Sequence, residues 1–459
     1  MTTVLSFILL FLVSGTSLAQ SFTIENVNVV DVKVGAIRKG LNVVIENNRI
    51  TSISRTKKET KSQVVDGSGK YLIPGLWDMH THNWTAEQFF PLLIANGVTG
   101  IRDMFGDMTN IRRWREEIKV GKIVGPVMYA SGPILDGPKP VWPGSIAVNS
   151  PDQVHRIIDS MKNEVHVDFI KVYSLLPRDV YFKIAEEARL QHLSFQGHKP
   201  DNVTTLEAAM AGQGSQEHLM GFVEESSDSS SKIQELSRAL AEKGQRNSKD
   251  RMKLILRTFN EGKLKTLADE FAKSGTWICP TLVVNRNLGL LKDTTLTNDK
   301  RLHYMMPQMK ARWNPVNDFR FKSLTEEHFE LSRKQFDLQL KVVNQLQKSG
   351  VRLLAGTDFP NPYCFPGFSL HDELQLLVEA GLSSLQALQT ATINPALFLN
   401  ITTEAGSVEE GKVANLVLLE DDPLADIRNT KRIHAVISNG RYLDRQELDS
   451  MLHKLWSNN

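Results

Sequence analysis

The strongest constraint on the fold is an alternation that fills the middle of the chain. Eight short apolar runs recur there: GLWDMHTH, GVTGIRDM, PVMYASGPIL, DFIKVYS, LSFQGH, GSQEHL, TWICPTLVV and VRLLAGTD. Stretches of helical periodicity lie between them, as in PRDVYFKIAEEARLQ and DNVTTLEAAMAGQ. Strands that alternate with helices pair in parallel, because the helix carries the chain back across the sheet. Eight such units predict an α/β fold, a (β/α)8 TIM barrel over residues 74–400. An open doubly wound sheet is the weaker alternative, since no Gly-rich phosphate loop follows the first run. Two connections, 220–276 and 285–350, are far longer than a βα loop needs and read as lids, binding insertions or interaction surfaces.

The flanks have a different texture. FTIENVNVVDV, LNVVIENNRITSISR and SQVVDGSGKYLI alternate with period two between Asn, Gly and Asp turns. GKVANLVLLE and RIHAVISNGRYLD repeat that pattern near the end, with Asn439-Gly440 as a hairpin signal. Residues 20–73 plus 401–446 therefore predict a small composite β-sandwich domain. Before it, the apolar run Val4–Leu12 and the small residues of Ser17-Leu18-Ala19 fit a signal peptide over 1–19. An exported protein, periplasmic or extracellular, without a stable membrane anchor is expected. With 54 Lys and Arg against 52 Asp and Glu, the net charge of +2 gives no footprint for nucleic acid. Two cysteines exclude a disulfide scaffold. Whether Cys279 and Cys364 pair is open, and nothing in the sequence excludes a homo-oligomer.

The chemistry sits at the ends of the runs. On a strand, residues i and i+2 share a face, so His80 and His82 point the same way and can hold one divalent metal. Lys171 and Tyr173 share a face at the end of the fourth run. His198 ends the fifth, His218 the sixth, and Asp358 the eighth. In a barrel of this kind, catalytic groups lie at the C-terminal ends of the strands.

IPGLWDMHTH, IKVYS, GHKP, SQEHL, LLAGTD and GKVANLVLLEDDPLADI together resemble the amidohydrolase superfamily, in particular its imidazolonepropionase-like and Xaa-Pro-dipeptidase-like branch. The resemblance runs from about residue 24 to 443. It implies two divalent metal ions, Zn2+ first among them, held by His80, His82, Lys171, His198, His218 and Asp358. Lys171 would be carboxylated, because an ammonium cannot bridge two dications whereas a carbamate offers two anionic oxygens. Asp358 would also move protons, and Tyr173 would contact substrate. The implied activity is metal-dependent hydrolysis of an amide-type C–N bond in a small molecule or dipeptide. An Xaa-Pro-type dipeptidase, a lactonase or esterase on the same site, and a non-catalytic scaffold protein are the competing readings. The dipeptidase needs a cation for a free carboxylate, for which Lys139, Lys199 and Arg286 are candidates. The loop DGPKPVWPGS, with Asp136, Lys139 and Trp142, is a further candidate substrate contact. Cys279 reads as an apolar filler; of the eight remaining histidines, read as ordinary surface or core residues, His371, which opens the helix after the eighth run, is the foremost candidate for a substrate role.

Overall fold

The computed structural model describes residues 21–57, 63–242 and 248–457; the expected signal peptide lies outside them. The N-terminal strands are β1 (Phe22–Asp31), β2 (Ala36–Glu46), β3 (Arg49–Ser54), β4 (Gln63–Asp66) and β5 (Tyr71–Pro74). The central ones are β6 (Leu76–Thr81), β7 (Val98–Asp103), β8 (Val127–Ala130), β9 (Ile134–Asp136), β10 (Ile146–Ala147), β11 (Ile170–Val172), β12 (Phe195–Gly197), β13 (Ser215–Glu217) and β14 (Trp277–Cys279). The C-terminal ones are β15 (Leu416–Leu419), β16 (Ile433–Ser438) and β17 (Arg441–Asp444).

Strands from both ends of the chain pair in one eight-stranded sheet. Its order is β17-β16-β15-β5-β1-β2-β3, with β4 beside β1. β5 joins the two halves edge to edge, pairing antiparallel with β15 from Leu416 opposite Pro74 to Leu419 opposite Tyr71. Alternate residues face opposite sides. Leu416 and Leu418 enter a core private to this sheet, whereas Val417 and Leu419 pack into the main core.

The central strands are parallel, in a three-stranded sheet β6-β7-β8 and a six-stranded sheet β10-β9-β11-β12-β13-β14. Three expected runs differ in detail. PVMYASGPIL breaks at Gly132, whose φ of +64° turns the chain, so β9 leaves β8 and pairs with β11. TWICPTLVV is a strand only to Cys279, and a helix begins at Leu282. Thr281 is left-handed there, and the Glu373 carboxylate accepts the Leu282 and Val283 N–H groups at 2.9 and 2.7 Å. An apolar run alone does not separate a strand from a buried helix start. VRLLAGTD forms no regular strand. It bridges instead, with Leu354 N–H donating to Ile278 O and Met79 N–H to Ala355 O. Isolated parallel bridges join Ile278 to Leu353 and Thr81 to Phe359.

Close packing fixes this last segment against β6. A Cβ on Gly356 would lie 2.5 Å from Cys279 Sγ and 2.8 Å from both Cβ and the backbone N of His80. Gly356→Ala is therefore expected to cost about 1–3 kcal/mol, the range for overpacking a tight core. Denaturant unfolding checks this; an unchanged midpoint would show that the contact relaxes freely.

Candidate metal centre

Four imidazoles, one carboxylate and one amine converge on a cavity of about 590 Å3. His80 and His82 project from β6 and the residue after it, their ring centroids 5.5 Å apart. His80 lies 4.6 Å from His218, and His218 lies 4.8 Å from His198, again between centroids. Asp358 sits among them. Its Oδ1 is 3.0 Å from His82 Nε2 and 3.5 Å from His80 Nε2, and its Oδ2 is 3.9 Å from His218 Nε2. Lys171 and Tyr173 line the same cavity. The structure thus brings together every residue expected from the ends of the runs.

The backbone is bent to achieve this. His218 and Asp358 have φ of +63° and +59°, a region costly for residues with a Cβ and typical of functional positions. Asp78 locks the Asp358 segment: its carboxylate accepts from Thr357 Oγ1 at 2.6 Å and from Thr357 N–H at 3.0 Å. Asp358 N–H in turn donates to His80 O at 2.7 Å.

Three of the imidazoles have their Nδ1 side already engaged, which directs Nε2 inward. His80 Nδ1–H donates to Glu217 Oε2 at 2.7 Å. His198 Nδ1 lies 2.9 Å from Ser174 Oγ, and His218 Nδ1 lies 2.6 Å from Thr281 Oγ1. Outer partners of this kind fix tautomer and ring orientation in metal-binding histidines. The Glu217 carboxylate is itself held by Arg102 and by Ser215 Oγ, and both Glu217 and Arg102 are fully buried. Arg102 also donates to Met79 O at 2.6 Å and to Gln196 Oε1 at 2.7 Å.

The electrostatics match a cation site. Burial opposes ionisation of Asp358, yet the imidazoles of His80, His82 and His218 outweigh it and hold the carboxyl below its ordinary range. Burial, reinforced by Lys171 nearby, holds His80 far below the usual imidazole range, so its Nε2 lone pair stays available. Burial also draws the Lys171 ammonium down to about 8. Lys171 Nζ and His82 Nδ1 are buried without a hydrogen-bond partner. Buried polar atoms are ordinarily satisfied, and the Lys171 amine, which lines the cavity, is an exception to that rule. His80, His82 and Asp358 offer donor atoms within 4.8 Å of one another, and that set suits a divalent metal. His80, Glu217 and Cys279 also approach one another, but Glu217 is committed to Arg102, and burial pushes the Cys279 thiol far above its usual range.

The family model for the Amidohydrolase family matches residues 71–443. The chain belongs to this family. Amidohydrolases generally use divalent metal ions, in keeping with the donor set. Relatives include a dihydroorotase of Carboxydothermus hydrogenoformans, 48% identical over 110 residues (21% of this chain, 25% of that one). An ochratoxinase of Aspergillus niger is 32% identical over 109 residues (23% and 22%). The matched stretches thus span about a quarter of these relatives' length. Among solved structures, a bottromycin amidohydrolase superposes with a TM-score of 0.75 at 22% identity, covering 95% of this chain and 90% of that one. A Xaa-Pro dipeptidase with bound methionine in its active site gives 0.64 at 18%, covering 93% and 100%. Together they indicate a TIM-barrel-type α/β fold.

The other candidate residues take varied places. Cys279 and Cys364 are both free and buried. His371 is away from the cavity, its Nδ1 3.0 Å from Thr430 Oγ1 and its Nε2 3.1 Å from Asn96 O. Of the loop after the third run, Trp142 lines the cavity, but Asp136 turns its carboxylate to the N–H groups of Gly137, Val141 and Leu175. Lys139, Lys199 and Arg286 are not among the lining residues; Lys199 Nζ donates to Val203 O instead. Glu217 and Arg102 were missed. Their only signal is a charged residue inside a segment that reads as a strand. Arg312 and Arg320, both lining, come from the 285–350 insertion, whose course no periodicity predicts.

Two outcomes follow from the buried partners. Arg102→Met strands the Glu217 charge and is expected to cost about 3–5 kcal/mol in denaturant unfolding. Thr281→Val removes the His218 partner at nearly constant volume. Its affinity for zinc, titrated into chelator-stripped protein, is expected to fall about 10–100-fold. Wild-type affinity in Thr281→Val would mean that His218 is not a ligand.

Proposed function

We propose that this amidohydrolase is a metal-dependent hydrolase that cleaves an amide-type C–N bond in a small molecule or short peptide. The observation that carries this reading is the placement of Asp358. Its carboxylate lies among the Nε2 atoms of His80, His82 and His218, two of them oriented from behind by Glu217 and Thr281. A shared metal is the chemistry that such a convergence of imidazoles and a carboxylate serves best. The ligand set proposed is His80, His82, Lys171, His198, His218 and Asp358, for two divalent ions, with Zn2+ the first choice. Held by these residues, such ions would lower the pKa of water toward neutrality and would polarise the scissile carbonyl.

The residues of the chain divide the remaining work. Lys171, with its depressed pKa and unpartnered Nζ, is the amine suited to carry a carboxyl group as a carbamate. Asp358 stays ionised, so it can accept the proton of the nucleophile and hand it to the leaving nitrogen. Tyr173 stacks on His198 at 4.0 Å between centroids, and its hydroxyl accepts the Trp142 indole N–H at 2.8 Å. That seat puts a phenol at the wall where a substrate carbonyl would lie.

A closed ring of eight parallel segments, bracketed by the composite sheet unit, is the architecture we propose for the site. It is supported by the bonds that tie 353–359 to both β6 and β14, and by Asp168 N–H donating to Ala130 O beside β8. Export rests on the N-terminal pattern. Among the described residues no helix is long and apolar enough to cross a membrane.

The test is a hydrolysis screen of the zinc-loaded protein on N-acyl amino acids, Xaa-Pro dipeptides, hydantoin-like rings and lactones. We expect C–N hydrolysis that chelation abolishes and that Asp358→Asn lowers by at least about 10²–10⁴-fold. Cleavage confined to lactones would favour the esterase reading. No turnover together with no bound metal would favour a scaffold protein.

A further inference from the structure

Trp142 is the point where three parts of the cavity wall meet. Its indole N–H donates to Tyr173 Oη at 2.8 Å. The Phe319 ring meets it edge to face at 5.9 Å, and Arg320 Cζ lies 5.4 Å from its ring centroid. Arg320 Nη1 in turn donates to Asn361 Oδ1 at 2.9 Å, and Asn361 Nδ2 donates to Asp358 O, also at 2.9 Å. On its other side Tyr173 stacks on His198, the two ring planes 23° apart. A line of contacts therefore crosses the cavity from Asp358 to His198, with Trp142 in the middle.

The loop that carries Trp142 is built to hold one position. It joins β9 to β10, and Pro138, Pro140 and Pro143 each fix a φ within it. The fully buried Asp136 carboxylate pins it at two points, accepting Gly137 N–H at 2.9 Å and Val141 N–H at 3.0 Å. The same carboxylate accepts Leu175 N–H at 2.8 Å. Val141 precedes Trp142, and Leu175 lies two residues beyond Tyr173. One buried charge thus sets the backbones that carry the indole and the phenol in register. Those backbones are also in close contact, since a Cβ on Gly137 would lie 2.0 Å from Leu175 O.

The polarity of the Trp142–Tyr173 contact has a chemical consequence. An indole nitrogen only donates, whereas a phenol both donates and accepts. The Tyr173 oxygen must therefore accept here, and its own proton is directed away from the indole. Accepting one hydrogen bond polarises the O–H group and strengthens it as a donor. Stacking on His198 fixes the plane of the phenol ring but not its slide within that plane. The indole supplies the missing constraint.

We propose that Trp142 is a positioning residue: through its indole N–H it holds the Tyr173 phenol as a hydrogen-bond donor to the oxyanion that forms when the amide carbonyl is attacked. This inference rests on the hydrolase reading above and gives the loop between β9 and β10 a part in the chemistry. A donor set in place beforehand stabilises developing charge without reorienting at the moment of reaction. Trp142 acts through Tyr173 alone.

The test is a double-substitution cycle on the zinc-loaded protein, read by calorimetry. Methylphosphonate, a small tetrahedral anion, stands in for the oxyanion, and acetate is its planar counterpart. Tyr173→Phe and Trp142→Phe are each expected to weaken methylphosphonate about 10-fold, the lower end of the range for a hydrogen bond to a charged group. Phe at position 142 keeps a ring for Phe319 and Arg320 while removing the N–H. The double variant should bind no more weakly than Tyr173→Phe alone. Acetate affinity should stay within about twofold throughout, the ordinary scatter of such cycles. Lys139→Ala, in the same loop and outside the cavity lining, should keep wild-type affinity for methylphosphonate. Losses that add across the cycle, an equal loss for acetate, an equal loss in Lys139→Ala, wild-type affinity in Trp142→Phe, or no methylphosphonate binding to the wild-type protein would overturn the proposal. Hydrolysis of the screened substrates is followed in parallel. A non-additive cycle without turnover of any of them would fault the hydrolase reading and leave the Trp142–Tyr173 anion contact standing. Turnover with an additive cycle would do the reverse.

Discussion

A fully buried ion pair, Arg102 with Glu217, underlies the metal centre. Taking two charges out of water costs several kcal/mol per ion, and their attraction repays this only when the remaining donors and acceptors are satisfied. Here they are. The guanidinium reaches Met79, Gln196, Ser215 and Glu217, and the Glu217 carboxylate adds Ser215 and His80. These residues belong to β6, β7, β12 and β13, so one network ties four strands together from within. Its product is orientation: His80 is pinned through Nδ1, with Nε2 facing Asp358.

Above that floor the molecule changes character. The inner cavity is built from strand ends and from His218 and Asp358, both in left-handed conformations. The outer cavity is built by Trp142 from the loop between β9 and β10 and by helical pieces of the 285–350 insertion. Trp313 on Pro360 and Arg320 on Asn361 fasten that insertion to the loop behind Asp358. The residues that would perform chemistry and those that would choose the substrate thus lie in different structural layers, joined at residues 358–361. The 220–276 insertion, by contrast, gives the cavity Met220 alone among its described residues.

The candidate ligand residues were legible in the sequence chiefly through the family resemblance of the motifs that carry them. His80 and His82 share a face by alternation, and Lys171, His198, His218 and Asp358 each end an apolar run. The joining of the chain's two ends was legible in their period-two texture. What sequence did not reveal falls into two physical kinds. Pairings made across space, such as β5 with β15 or Arg102 with Glu217, leave only local hints: a strand pattern, or a charge within a segment that reads as a strand. Irregular segments are the other kind. VRLLAGTD reads as a strand because it is apolar, but Gly356 and the left-handed Asp358 mould it to fit β6. TWICPTLVV reads as one strand because nothing local announces that Glu373, nearly a hundred residues on, caps a helix at Leu282. The pocket wall around Arg312 was invisible for the same reason, since its position depends on where Trp313 is anchored.

The account stands or falls on what occupies the space between the imidazoles. Anomalous diffraction at the metal edge, on crystals of the metal-loaded protein, measures it directly. The account predicts about two ions per chain, bounded by His80, His82, His198, His218 and Asp358, with added density beyond Lys171 Nζ for a carboxyl group. Imidazoles that merely hydrogen-bond to Asp358 around ordered water, or ions bound only elsewhere, would contradict it.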